Sequence, residues 1–132
     1  MRIYIAAKLS DRMRLRAIRE ELFKLGHECV STWLDEVAKP EAMDMRTFLR
    51  KLAVKDLTEI RAADLLILDT LSPLSAGGGG GREFEVGFAI GQWHHKDVWR
   101  VGPGNNAFHE LVDRAFATWD DCLSALRTGD RA

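Results

Sequence analysis

The six residues Asp64–Asp69, DLLILD, place four consecutive aliphatic side chains between two aspartates. A strand with one wet face alternates apolar and polar letters, whereas a short run apolar throughout marks a strand covered on both sides, as at the centre of a parallel sheet. Outward from it, apolar runs alternate with amphipathic stretches, the pattern of an α/β fold. RIYIAA (2–7) predicts the first strand. Ser10 is placed to cap a helix in which Leu15, Ile18, Leu22 and Leu25 recur at helical spacing until Gly26 stops it. HECVSTWL (27–34) predicts a second strand, interrupted by polar residues, and a long helix runs from beyond Pro40 to about Ala62. A third helix follows a glycine run and ends near His95. KDVWRVG (96–102) and AFATW (115–119) predict the fourth and fifth strands, and DDCLSALR (120–127) a closing helix. The expectation is a single α/β domain over residues 1–132 with a mostly parallel five-stranded sheet and a frayed TGDRA tail, without repeats or linkers.

Composition narrows the function. Charged residues make up 30% of the chain but the formal net charge is −1, so no bulk basicity supports a nucleic-acid polymer as partner. Cys29 and Cys122 have no CxxC spacing, no signal-peptide pattern opens the chain, and no apolar run approaches a membrane span. A soluble protein of the reducing cytoplasm, away from any membrane, is the expectation. His94 and His95 are adjacent, and His27 and His109 have no ligand spacing with them or with the cysteines, so neither metal nor cofactor is implied.

In an open parallel sheet ligands bind beyond the carboxyl ends of the strands. The loops after Ala7, Asp69 and Val101 therefore carry the functional weight. The second contains Gly77–Gly81, five glycines followed by REFEVGFA. A P-loop would continue with Lys and Ser or Thr, and a dinucleotide fingerprint would follow the first strand, so both nucleotide motifs fail. The run instead lets backbone pass close to a ligand, in a loop that orders on binding, and a phosphate at the free N–H groups of the next helix is its second use. Phe84, Phe88 and Gly91 share a face of that helix, while Glu85 stands near its start, where backbone donors are expected to hold it ionised as a nucleophile. Glu83, two residues away, should face elsewhere.

The long helix carries a second carboxylate. Met45, Leu49, Leu52, Ala53 and Ile60 form one stripe, and Asp56 falls near its middle. A carboxylate on an apolar stripe answers either a structural donor or a site. One ionised carboxylate and one able to give a proton, converging on a cleft, are the minimum apparatus for retaining glycosyl transfer. GPGNNAFHE (102–110) is a further candidate cleft loop through Asn105, Asn106 and His109. Trp33, Trp93, Trp99 and Trp119 read as core or subunit contacts, with stacking of Trp33 on a base as the alternative.

Taken together, IYIAAKLSD (3–11), the spacing from Asp56 to AADLLILD (62–69), and GGREFEVGFA (80–89) resemble the nucleoside 2-deoxyribosyltransferase-like superfamily over nearly the whole chain. That group includes deoxyribosyltransferases, 2′-deoxynucleoside 5′-phosphate N-hydrolases and cytidylate N-glycosidases. The resemblance implies a flavodoxin-like three-layer α/β/α fold and a homodimer or higher oligomer in which one chain completes its neighbour's site. It implies Glu85 as the nucleophile at the anomeric carbon, Asp56 as the group that contacts and protonates the departing base, and Tyr4 as the hydroxyl that positions Glu85. Ala7, Lys8, Ser10, Arg12, Gly79, Gly81 and Asn106 become candidate contacts to a small nucleoside or nucleotide, with Lys8, Ser10 and Arg12 at a 5′-phosphate. The chain departs from the pattern at Gly79, where transferases often carry an acidic residue and phosphate hydrolases a serine. It departs again in Ala6–Lys8, where Gly and Ser are favoured. N-glycosidic hydrolysis of nucleoside 5′-monophosphates is the expected activity. The alternatives are base exchange, a nucleotide-binding sensor without turnover, and cleavage of a larger dinucleotide.

Overall fold

The computed structural model describes residues 1–73, 80–92 and 96–128. Among them, β1 (Arg2–Ala6), β2 (Glu28–Cys29), β3 (Leu65–Asp69), β4 (Asp97–Val101) and β5 (Arg114–Phe116) form one sheet, parallel throughout, in the order β2-β1-β3-β4-β5. This is the flavodoxin-like order, and the chain changes its direction of travel across the sheet between β1 and β3. Because parallel crossovers share one hand, α1 (Arg12–Lys24) lies on one face while α2 (Met45–Ala62) and α3 (Gly81–Gly91) lie on the other. The closing helix α4 (Trp119–Arg127) packs beside α1, and α2 beside α3. Among the described residues, no helix is long and apolar enough to cross a membrane.

The DLLILD run is the central strand: Leu65 to Asp69 are buried, in register with β1 through Tyr4↔Leu66 and with β4 through Asp69↔Val101. Ile3, Tyr4, Ile5 and Ala6 are fully buried beside it. The tips of β3 and β4 are pressed together at Gly102, whose φ of +112° suits glycine and where a Cβ would lie 2.5 Å from Thr70 Oγ1.

Several expectations are corrected. The second strand shrinks to two residues, because Thr32–Asp35 turn as a 3-10 helix that seats Trp33 and Leu34 over the sheet edge. Trp33 Nε1 donates to Ile5 O at 2.8 Å, so this indole is structural and does not stand open to a base. Ser10 does not cap α1; it lies in the 3-10 turn Leu9–Asp11, and Asp11 occupies the cap position. The fifth strand ends at Phe116, since Thr118 caps α4 by accepting from Asp121 N, which draws Trp119 into the helix. Trp93, His94 and His95 lie outside the described residues.

The stripe on α2 is not a core face over its length. Ile60 is buried, yet Met45 and Leu49 are more than half exposed. Eighteen helical residues span about 27 Å whereas five-residue strands span about 17 Å, so the amino-terminal turns of α2 extend past the sheet. Asp56 sits where the helix leaves the core.

Candidate active site

Tyr4 points from the middle of β1 to the α2/α3 side, and its ring is fully buried. On that side α3 begins after Gly80, an N-cap at φ +71°. The Gly80 carbonyl accepts from Glu83 N and Phe84 N, so the helix turns directly over the sheet. Arg82, Val86 and Ala89 form its buried face. Glu85, one residue short of Val86, is brought down onto Tyr4, whose hydroxyl donates a short hydrogen bond to Glu85 Oε2.

Glu85 is the fifth residue of the helix, past the free N–H groups of the first turn. The expectation that backbone donors keep it ionised is therefore corrected. Burial pushes its carboxyl up to about 8, the Tyr4 hydrogen bond opposes that rise, and the charges of Asp56 and Glu59 add to it. The Tyr4 phenol is itself raised by burial and by Glu85, so it remains the proton donor of the pair.

Asp56 faces the same space from α2. Burial raises its carboxyl to about 6, Lys55 pulls the other way, and Glu59 and Glu36 push it further up. Its Oδ1 is buried without a hydrogen-bond partner. The two carboxylates, with Ala53, Leu57, Gly81 and Phe84, line a cavity of about 230 Å³. A carboxyl held near 6 beside one near 8, in a largely apolar cavity, is an arrangement able to give a proton and to make a nucleophile.

Of the residues singled out in the sequence, Tyr4, Asp56, Gly81 and Glu85 come together here. Ala7, Lys8, Ser10 and Arg12 do not line the cavity; they gather at the tip of β1. Lys8 Nζ donates to Pro73 O and ties the loops after β1 and β3, while Arg12 Nη1 donates to Glu36 O at 3.1 Å. Asn106 also stands apart, for its side-chain oxygen accepts from Phe108 N and His109 N and its Nδ2 donates to Glu83 Oε2. Gly79 lies outside the described residues. Glu83 turns away from Glu85 as expected. His109 Nε2 meets Glu83 Oε2 at 2.5 Å, Arg82 Nε meets Oε1 at 3.0 Å, and these bonds overcome burial to hold its carboxyl below the usual range.

Sequence reasoning missed Phe84, Ala53 and Leu57 as cavity walls. Their signal was spacing: Ala53 and Leu57 flank Asp56 at i−3 and i+1, and Phe84 precedes Glu85. A larger groove of about 710 Å³ runs beside β2, but its carboxylates Glu20 and Glu28 are exposed, and it offers no comparable chemistry. Among the described residues, no three His, Cys, Asp or Glu side chains converge to hold a metal ion.

No protein-family model matches the chain, and no curated protein matches it by sequence. Solved structures do share its fold end to end. A 2-deoxyribosyltransferase from the psychrotolerant bacterium Bacillus psychrosaccharolyticus superposes with a TM-score of 0.68 at 20% identity, covering 96% of both chains. A 2-deoxyribosyltransferase from Leishmania mexicana gives 0.69 at 14% identity, covering 98% of this chain and 99% of the other. The CMP N-glycosidase BcmB of Clostridium botulinum gives 0.57 at 17% identity, with 97% and 99% covered.

Proposed function

We propose that the chain belongs to the nucleoside 2-deoxyribosyltransferase-like superfamily and cleaves the N-glycosidic bond of nucleoside or deoxynucleoside 5′-monophosphates. The observation that carries this reading is the half-buried pair in one cavity: Glu85 on the Tyr4 hydroxyl, and Asp56 with a buried, unpartnered Oδ1. Support comes from the fold, shared with two base-exchanging enzymes and a nucleotide N-glycosidase.

In this mechanism ionised Glu85 attacks the anomeric carbon of the sugar. The C–N bond breaks with its electron pair passing to the base, and protonated Asp56 supplies the proton the base nitrogen takes up. The resulting glycosyl ester is opened by water, whose proton Asp56 accepts, and Glu85 is released with the free sugar phosphate. Two displacements give net retention at the anomeric carbon. Tyr4 orients the Glu85 oxygen and lowers the cost of its charge. The phosphate belongs at the β1 tip near Lys8, and a second copy of the chain, completing the site, belongs to the same proposal. Its support is the exposed Phe108 and Leu111 beside α3.

The test is chromatographic detection of free base from ribo- and deoxynucleosides and their 5′-monophosphates, with and without a second base. Release from monophosphates that vanishes in Glu85→Ala is expected. Release only with an acceptor base assigns a transferase instead, and ligand-induced stabilisation without any release overturns the enzyme reading in favour of a binding module.

A further inference from the structure

Two phenylalanines one turn apart on α3 have different surroundings. Phe88 is half-buried, with the Arg61 guanidinium 5.5 Å from its ring centroid. Phe84 is 65% exposed and forms a wall of the cavity that holds Glu85 and Asp56. Leaving an aromatic face in water is unfavourable, and α2 presents a matching apolar surface, Ala53 and Leu57, across the same space. The bottom of the gap carries the buried, unpartnered Oδ1 of Asp56. An apolar slot with an unsatisfied polar atom fits a flat, heteroatom-edged ring.

We propose that Phe84 is the stacking platform for the base of the substrate, with Ala53 and Leu57 against the opposite side of the ring and its edge at Asp56 Oδ1. This inference rests on the N-glycosidic reading and deepens it. A π-face accepts any base, so Phe84 supplies affinity and orientation while Asp56 reads the edge. A slot of about 230 Å³ is smaller than a typical pocket for a drug-sized ligand, a size that suits a single base. Because Phe84 is exposed, truncating it leaves the core intact.

The test combines steady-state kinetics with equilibrium binding of adenine, cytosine and ribose 5-phosphate to the Glu85→Gln protein, with and without Phe84→Ala, Phe84→Leu or Phe84→Tyr. Phe84→Ala is expected to weaken binding of both bases, and to raise KM, by roughly 5- to 100-fold, with kcat changed far less. Phe84→Leu should fall between, Phe84→Tyr should restore binding, and ribose 5-phosphate affinity should not move. Base affinity unchanged in Phe84→Ala, or no base binding to the Phe84 protein, overturns the inference. So does a Phe84→Ala chain that loses a self-association present in the parent, because the ring is then covered by a second copy. Base release with a neutral Phe84→Ala sinks the platform alone. Phe84-dependent base binding with no release from any nucleoside sinks the catalytic reading and leaves the platform standing.

Discussion

Asp69 and Glu85 are both carboxylates drawn into the interior, and they differ in how completely they are answered. Asp69, fully buried at the end of β3, receives Arg14 in a two-pronged contact at 2.8 and 3.1 Å, Trp119 Nε1 at 2.7 Å and Leu71 N at 3.0 Å. Four donors from three parts of the chain leave neither oxygen wanting. Glu85 has one phenol, and its neighbour Asp56 keeps an oxygen with none. At Glu85 and Asp56 burial raises the carboxyls and keeps the proton in play. The first arrangement fastens α1, α4 and the β3 tip; the second leaves carboxyls short of partners, as the proposed chemistry requires.

The contrast is broken most severely at Glu85. If Glu85 is the nucleophile as proposed, Glu85→Gln should lower turnover by more than about 10³-fold. The same variant should be the more stable protein at high pH. A carboxyl whose folded value is raised to about 8 stabilises the fold below its unfolded value and loses that contribution as pH climbs through 8. The glutamine has no such loss, so urea titrations should find it ahead by on the order of 3 kcal/mol at pH 8 and nearly level at pH 5. Equal stability at both pH values would refute the desolvated carboxyl.

Asp69→Ala should behave in the opposite sense. Stranding the Trp119 N–H and taking from Arg14 its closer partner, while Asp11 remains to it, costs about 3 kcal/mol. The surviving folded fraction should keep its kcat. Loss of kcat without loss of stability would move Asp69 from scaffold to site.

Sequence reading succeeded where burial is symmetrical. β1 and β3 are covered on both faces and appear as near-continuous apolar letters, and β4 does so apart from Arg100, so the sheet centre and the direction of its strands were legible. β2 was not, because at the edge only two residues pair and the following apolar letters serve a turn against Ile5. Asp56 was legible as a polar letter on an apolar stripe, Glu85 by its place near a helix start, and Tyr4 only through the family resemblance. Lys8 and Arg12 illustrate the limit: a cation bound to a backbone carbonyl and one awaiting a phosphate are written alike. Phe84 failed for the complementary reason, since an aromatic at helical spacing reads as core until its exposure is seen. No local pattern could join residues 14, 69 and 119.

The smallest effect separates the two carboxylates most finely. The proposed mechanism needs Glu85 ionised and Asp56 protonated, yet the environment favours the reverse, with Glu85 at about 8 and Asp56 at about 6. Between those values the fraction of sites in the working state is flat at about 10⁻², from the two-unit gap, and kcat/KM should bend down below about pH 6 and above about pH 8. The Tyr4 hydrogen bond works against the gap by pulling Glu85 down. Tyr4→Phe keeps the ring in its place and removes only the donor, so the Glu85 value must rise. A rise of one unit would lower the plateau about tenfold and carry the alkaline bend up by the same unit, leaving the bend near 6 in place. A tyrosine that merely packs the core would lose stability without moving either bend. The pH profile of kcat/KM for Tyr4→Phe therefore tests whether that hydroxyl positions and tunes Glu85 or only fills space beneath it.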